Sequence, residues 1–123
     1  MTFRGKQVLV TGGAGFIGSH LVDKLIGQGS DVTVFDDLSV GALENLHSHL
    51  SSSRMRFVKG DITDKEHVME VMEQHFDVVF HLAAVVGVER YCEDPLRTID
   101  VNFFGTRNIA EAALKSDTKT IFM

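Results

Sequence analysis

The residues of this chain with the clearest chemical potential lie between Thr11 and Gly18, where four of eight positions are glycine. Gly13, Gly15 and Gly18 fit the pattern G-x-G-x-x-G, and Gly12, Gly15 and Gly18 fit G-x-x-G-x-x-G. Glycine allows positive φ in a tight turn and lets a phosphate group approach the backbone closely. A helix that starts after such a turn presents free N–H groups and the positive end of its dipole to that phosphate. The pattern therefore predicts a turn that binds the pyrophosphate of a dinucleotide.

A carboxylate stands where the second strand of such a unit would end. Asp36 follows Gly18 by eighteen positions, and an acid at this point accepts hydrogen bonds from the adenosine ribose of NAD and repels a 2′-phosphate. Neither Arg nor Lys occurs between Phe35 and Leu50 to bind that phosphate, so the sequence predicts NAD rather than NADP. The alternative is a glycine turn that serves only strand–helix packing, with Asp36 as a solvated strand end.

Short apolar runs rich in β-branched residues alternate along the chain with longer segments of helical period. The runs predict strands at 7–10, 31–35, 56–58, 77–84 and 120–123, and the helical segments lie at 17–28, 42–50, 63–75 and 95–114. This alternation predicts an α/β fold, a Rossmann-type doubly wound parallel sheet with strand order 3-2-1-4-5 and helices on both faces. Because the fifth strand begins at the last residues, we expect a sheet truncated at about strand five and one NAD-binding Rossmann domain over residues 1–123.

Two of the predicted helices begin with capping signals. Thr63 stands three residues before Glu66, which is the spacing of a capping box. Asp94 precedes Pro95, so that a capping side chain is combined with proline at the first helical position. The segment 42–50 has a weak pattern, and we expect a short helix there, followed by a polar loop.

The composition excludes several classes of function. The 123 residues carry 12 Lys and Arg against 17 Asp and Glu, a net charge of −5, and offer no basic stripe for nucleic acid. The single Cys92 leaves no partner for a disulfide or a cysteine-based metal site, and we predict no metal. No apolar run approaches the roughly 18 residues of a membrane span, and residues 1–6 lack the apolar core of a signal peptide. We therefore expect a cytoplasmic protein that binds neither nucleic acid nor membrane.

Five short motifs follow one another along the chain: TGGAGFIG at 11–18, DDLS at 36–39, GDI at 60–62, HLAA at 81–84 and NFFGT at 102–106. Together they resemble the extended short-chain dehydrogenase/reductases, and among these the NAD-dependent epimerase/dehydratase family. The resemblance implies that Asp61 and Ile62 hold the adenine, that residues 82–84 run beneath the cofactor, and that Asn102 supports the cofactor and active-site geometry. The cofactor-binding set that it implies is Gly12, Gly15, Phe16, Ile17, Gly18, Asp36, Asp37, Leu38, Ser39, Asp61, Ile62, Leu82, Ala83, Ala84 and Asn102.

Each of the three later motifs also has a purely structural explanation. Asp61 could simply end a strand, and His81, flanked by apolar residues, could be a hydrogen-bonded core histidine. Asn102 could lie on a solvated helix face. For His81 the resemblance itself implies a structural role.

The resemblance further implies a chemistry whose central residues are not in this sequence. In the family a tyrosine phenolate, with its pKa lowered by a lysine four residues later, removes a sugar hydroxyl proton while hydride passes to NAD. The single tyrosine here is Tyr91, and Pro95 stands four residues after it. We therefore predict no catalytic residue in these 123 residues and no turnover by this chain alone. Tyr91 fits either a contact with substrate at the rim of the site or simple packing.

Local similarity suggests a substrate class. Residues 36–41 and 45–46 are similar to UDP-glucose 4-epimerases, which makes a nucleotide-sugar epimerase the main hypothesis. Residues 91–95, 98–99 and 102 are similar to UDP-glucuronate decarboxylases, and a non-catalytic dinucleotide-binding module is a third possibility. The expected partners are a nucleotide sugar and further copies of the chain, which would associate through the edge of strand five or the helices beside it.

Overall fold

The computed structural model of this protein describes residues 2–123. Met1, with which the predicted domain begins, lies outside the described residues. Its centre is a five-stranded parallel sheet with the order β3-β2-β1-β4-β5. This order confirms the predicted topology. The strands are β1 (Gln7–Thr11), β2 (Asp31–Asp36), β3 (Met55–Lys59), β4 (Val78–His81) and β5 (Thr120–Phe122).

Helical segments connect these strands and cover both faces of the sheet. The connection from β2 to β3 contains a 3-10 helix over Leu43–His49, and a π-helical segment over Asp100–Gly105 joins the last two α-helices into one continuous rod. The α-helices are α1 (Phe16–Gly27), α2 (Lys65–Met72), α3 (Val88–Glu93), α4 (Pro95–Ile99) and α5 (Thr106–Lys115).

The alternation of side chains along β1 divides the core into two halves. Val8 and Val10 pack with α1 and the 3-10 helix on one face, whereas Leu9 packs with α2 and α5 on the other. All three side chains are no more than 1% exposed. A strand that is buried on both faces needs an uninterrupted apolar run, which is why Gln7–Thr11 shows no polar alternation.

Four local features differ in detail from the sequence predictions. Helix α2 is capped by Asp64, which accepts a hydrogen bond from His67 N at 3.1 Å, because the hydroxyl of Thr63 is bonded to Asp61 instead. The short helix predicted at 42–50 is present and is of the 3-10 type. Strand β4 ends at His81, not at residue 84.

The fourth difference concerns the segment after β4. The sequence predicts one helix starting at Pro95, with Asp94 as its cap, and the cap is confirmed because Asp94 Oδ1 accepts from Arg97 N at 2.9 Å. The additional short helix α3 and the π-helical turn within 95–115 were not expected. Helix α3 begins after Gly87, whose φ of 103° is accessible to glycine.

Candidate functional site

A cleft of about 590 Å³ opens at the carboxyl ends of the strands. It lies beside β1, where the chain order reverses because β1 pairs with β2 on one side and β4 on the other. Ligands of open parallel sheets bind at such a point. All of the predicted cofactor-binding residues line this cleft except Leu38 and Asn102.

The glycine turn forms the floor of the cleft, and two of its glycines are required by close backbone contacts. Gly12 has φ +70°, and a Cβ there would lie 2.8 Å from the backbone nitrogen of Ala83. A Cβ on Gly18 would collide with the Gly12 carbonyl oxygen and lie 2.7 Å from the Cα of Gly13. These contacts bring the start of α1 against the end of β1.

The amino-terminal end of α1 lines the cleft without a side-chain cap. Gly15 occupies the N-cap position in an extended conformation, and no side chain accepts the first N–H groups. Phe16 and Ile17, which follow, are 80% and 72% exposed at the cleft. The free N–H groups and the positive dipole end of α1 thus face the cleft, where they can bind an anion.

Asp36 is buried, with only 8% of its surface exposed, and both of its carboxylate oxygens accept hydrogen bonds. Oδ2 accepts from Ala14 N at 2.9 Å and Oδ1 accepts from Leu38 N at 2.9 Å. These bonds connect the glycine turn with the loop after β2 and hold Leu38 at its φ of 61°. Because each carboxylate oxygen has two lone pairs, Asp36 can still accept a bond from a ligand hydroxyl.

The next acid, Asp37, is oriented by its own loop. Its Oδ1 accepts from Ser39 N at 2.9 Å and from the Ser39 hydroxyl at 2.7 Å. Its Oδ2 is left facing Arg97, at 3.6 Å from Nη2. Asp37 and Ser39 line the cleft, whereas the side chain of Leu38 packs against the core beneath it.

Asp61 lies near the start of the loop between β3 and α2. Oδ1 accepts from the backbone and the hydroxyl of Thr63, and Oδ2 lies 2.6 Å from Arg97 Nη2. Burial alone would raise the pKa of Asp61, but the hydrogen bonds from Thr63 and the cation of Arg97 outweigh it and lower the pKa. Asp61 is therefore an ionised acceptor at neutral pH.

A buried chain of three side chains supports the cleft from below. The Thr11 hydroxyl oxygen accepts from the N–H groups of Leu82 and Ala83 at 3.1 and 3.2 Å, and lies 2.7 Å from His81 Nδ1. With both hydroxyl lone pairs used, Thr11 must donate its proton to Nδ1. His81 Nε2 then carries the ring proton and donates to the Thr106 hydroxyl at 2.9 Å.

His81 is thus a structural, uncharged histidine. Burial lowers its pKa to about 4, so the neutral tautomer assigned from its partners persists at neutral pH. The interpretation as a hydrogen-bonded core histidine is the one that the geometry supports, because His81 touches threonines of β1 and α5 and is not in the wall of the cleft.

Asn102 also acts from outside the cleft. Its side chain pairs with both backbone groups of Val85, a residue of the cleft wall. The segment from Leu82 to Val85 is therefore fixed at one end by Thr11 and at the other by Asn102. Asn102 lies on a helix, as predicted, but it is half-buried rather than solvated.

Sequence reasoning missed one side of the cleft. Residues of α3, α4 and the π-helical segment contribute to its wall, including Arg90, Glu93, Arg97 and Val101. The sequence offered no signal for this wall, because the apolar positions Leu96, Ile99 and Phe103 are exposed and their period does not indicate which residues face the strand ends. Tyr91 is half-exposed and is not part of the wall.

Within residues 2–123 no group of three His, Cys, Asp or Glu side chains could hold a metal ion. In the same part of the chain no helix has the length and apolarity needed to cross a membrane.

The sequence model of the NAD dependent epimerase/dehydratase family matches residues 8–123. A UDP-glucose 4-epimerase of Mycolicibacterium smegmatis is 49% identical over 107 residues, which is 87% of this chain and 34% of that protein. A UDP-N-acetyl-alpha-D-glucosaminuronate decarboxylase of Bacillus cytotoxicus is 45% identical over 117 residues, or 95% of this chain and 36% of that protein. The chain thus spans about a third of the length of these relatives.

Solved structures show the same fold. The UDP-glucose 4-epimerase of Thermotoga maritima, determined with UDP-glucose, superimposes with a TM-score of 0.86 and 40% identity over 94% of this chain and 36% of that one. The Thermus thermophilus UDP-glucose 4-epimerase complex with NAD gives a TM-score of 0.83 and 38% identity over the same shares.

Proposed function

Because the chain belongs to the NAD-dependent epimerase/dehydratase family, we propose that residues 1–123 form the NAD-binding Rossmann domain of a nucleotide-sugar epimerase. The observation that carries the proposal is the pairing of two features in one cleft. The buried carboxylate of Asp36 and the uncapped start of α1 both line it. A carboxylate suits ribose hydroxyls and a free helix end suits a pyrophosphate, and NAD contains both groups.

The proposed positions of the cofactor follow from the chemistry of the walls. The pyrophosphate lies over Gly15 and the first turn of α1, and Asp36 accepts from the adenosine ribose. The ionised Asp61 and the apolar Ile62 stand at the end of the cleft that suits an adenine, whose amino group needs an acceptor. Residues 82–84 lie along the remaining wall, and NAD when bound supplies a reversible hydride acceptor for the sugar.

Catalysis would require residues beyond those of this chain. The acid–base pair of the family is a tyrosine and a lysine four residues later, and the sequence pairs Tyr91 with Pro95 instead. In this proposal the 123 residues bind and orient the cofactor but do not turn over substrate alone. Epimerase activity of the isolated chain would contradict this part of the proposal.

The proposed substrate is a UDP-hexose, as in the relatives named UDP-glucose 4-epimerase. A second candidate is the decarboxylation of a UDP-uronic acid, favoured by the 45% identity with a decarboxylase over 95% of the chain. The full-length protein, supplied separately with UDP-glucose, with UDP-glucuronate and with UDP-N-acetyl-alpha-D-glucosaminuronate, distinguishes them. Epimerised UDP-galactose supports the first candidate, and released carbon dioxide supports the second. A non-catalytic module would give neither product.

NAD binding is tested by calorimetry and thermal denaturation of the full-length protein. A bound ligand raises the unfolding temperature by mass action, and we expect a saturable shift with NAD. In Asp36→Asn the amide NH₂ group must face the N–H of either Ala14 or Leu38, and one of these two hydrogen bonds is lost. We therefore expect the affinity for NAD to fall about tenfold or more. Asp31→Asn, at the other end of β2 and outside the cleft, is the control. Absence of binding at millimolar NAD would refute the proposal.

We also propose that the protein is a cytoplasmic homo-oligomer. Strand β5 is at the edge of the sheet, and Leu96, Ile99 and Phe103 of the last helical rod are at least half exposed. Large apolar side chains at successive turns of a helix form a surface suited to another protein. Light scattering of the full-length protein tests this, and a monomer at all concentrations would contradict it.

A further inference from the structure

Arg97 connects three separate segments at one end of the cleft. From the first turns of α4 its Nη2 lies 2.6 Å from Asp61 Oδ2 and 3.6 Å from Asp37 Oδ2, while Nη1 lies 3.4 Å from the Thr63 hydroxyl. Asp37 belongs to the loop after β2, and Asp61 to the loop after β3. The guanidinium therefore lies beside the acids that follow these two strands. One of them, Asp37, is next to Asp36 in sequence.

This arrangement places a permanent cation where the local sequence suggested none. A guanidinium is a cation whose planar fork forms paired hydrogen bonds with carboxylates and with phosphates. An arginine near the ribose acid is also the group that accommodates a 2′-phosphate in NADP-binding sites. In this protein, however, the donors of Arg97 that face the cleft end are directed at two carboxylates.

We propose that Arg97 is a latent anchor for a 2′-phosphate and that Asp37 and Asp61 keep it occupied. Discrimination between NAD and NADP then depends on two components. Asp36 accepts from the ribose and repels the phosphate, and the Asp37–Arg97–Asp61 group removes the attraction that a phosphate would otherwise find. This inference rests on the proposed binding of NAD.

Asp37→Asn is a selective way to release the anchor. Asp37 Oδ1 accepts both bonds from Ser39, and an asparagine oxygen can retain them, so the loop keeps its conformation. Only the oxygen that faces Arg97 is replaced, by an NH₂ group that repels the guanidinium. Arg97 then keeps one carboxylate partner and has donors left for a phosphate. Since hydrogen bonds between charged groups are strong, we expect affinity for NADP relative to NAD to rise about tenfold.

The dissociation constants of NAD and NADP are measured by calorimetry on the full-length protein, with Asp31→Asn as the control. Asp31 also pairs with an arginine, Arg54, at 3.2 Å, but this pair lies outside the cleft, so the ratio should not change. Adding Arg97→Gln to Asp37→Asn should abolish the gain.

Each outcome decides the inference. A gain that disappears with Arg97→Gln supports it. An unchanged ratio in Asp37→Asn overturns it, and so does a gain that survives Arg97→Gln, because the removed negative charge would then be the whole cause. Failure of the parent protein to bind NAD would instead refute the proposed function on which this inference rests, so the two failures are distinguishable.

Discussion

The side-chain amide of Asn102 is hydrogen-bonded to both backbone groups of Val85: Oδ1 accepts from the Val85 N–H at 2.7 Å, and Nδ2 donates to the Val85 carbonyl at 2.8 Å. The pairing joins a helix to a loop of the cleft wall, seventeen residues apart in sequence. An amide is the side chain that offers a donor and an acceptor side by side.

We predict that Asn102→Asp destabilises the protein by about 1–3 kcal/mol, because the Val85 carbonyl loses its donor and faces a carboxylate oxygen. Urea denaturation followed by circular dichroism measures the effect. NAD affinity should fall as well, since the wall segment loses its anchor. Asp100→Asn, an exposed change on the same helical rod, is the control and should leave the midpoint unchanged. An equal midpoint for both variants would contradict the assigned role.

The neutral state of His81 makes stability depend on pH in a defined window. Burial lowers its pKa to about 4 in the folded state, whereas an unfolded histidine titrates near 6.5. Between these values the unfolded chain binds the proton and the folded chain does not, so the free energy of unfolding falls as pH falls from about 6.5 to about 4. The complete loss is on the order of 3 kcal/mol.

Denaturant titrations at several pH values test this dependence. His81→Asn should lose most of the slope within the window, whatever its absolute stability. His47→Asn, the same substitution at an exposed position, is the control. The carboxyls with lowered pKa values, Asp61, Glu111 and Asp117, contribute only at the acid end of this window and below it, so the slope between pH 6.5 and 5 reports His81. A slope that persists in His81→Asn would show that another group is responsible.

Two glycines of helix α1 should respond to alanine in opposite directions. In Gly18→Ala the new Cβ meets backbone atoms of Gly12 and Gly13, which cannot move without opening the turn, so we expect a loss of about 2 kcal/mol or more and of NAD binding. At Gly27 a Cβ would meet nothing within 4 Å, and Gly27→Ala should stabilise the helix by about 0.5–1 kcal/mol. Thermal denaturation compares the two, and similar effects would contradict the role of Gly18.

The cap of helix α2 can be tested by substitution at two positions. Asp64→Ala removes the acceptor for His67 N and should cost about 1 kcal/mol. Glu66→Ala should stay within about 0.5 kcal/mol, because the structure gives Glu66 no part in a capping box. Chemical denaturation provides both values. A larger loss of stability in Glu66→Ala than in Asp64→Ala would favour a capping box instead of the Asp64 cap.

Much of the fold follows from the sequence because its strands are buried on both faces. The apolar run in β1 and the glycine turn after it have few alternatives, and parallel strands bring their carboxyl ends to one edge. Gly18, Asp36 and Asp61 could therefore be expected to line one cleft, and they do. Helix bounds do not follow from the sequence in the same way, because spacing alone does not rank the competing hydrogen bonds of Thr63 and Asp64.

Arg97 shows where reasoning from local sequence fails. The sequence predicts NAD from the absence of a cation between residues 35 and 50, but the helix at 95–99 brings Arg97 to the acids that follow β2 and β3. That contact depends on how the last helical rod crosses the strand ends, and apolar periodicity does not specify it. The neutral tautomer of His81 also required the positions of two threonines from distant elements.

The π-helical turn at Asp100–Gly105 has a consequence for how this rod tolerates change in length. A π turn holds one residue more than an α turn, so the segment is the equivalent of a single-residue insertion within a helix. Deleting one residue there could restore regular α-helical bonding, yet it would rotate everything on one side of the deletion by about 100°. Arg97 and Thr106, on opposite sides of the turn, could then no longer face the strand ends together. The rod would remain helical after such a deletion, but Arg97 and Thr106 would no longer lie on the same side of it.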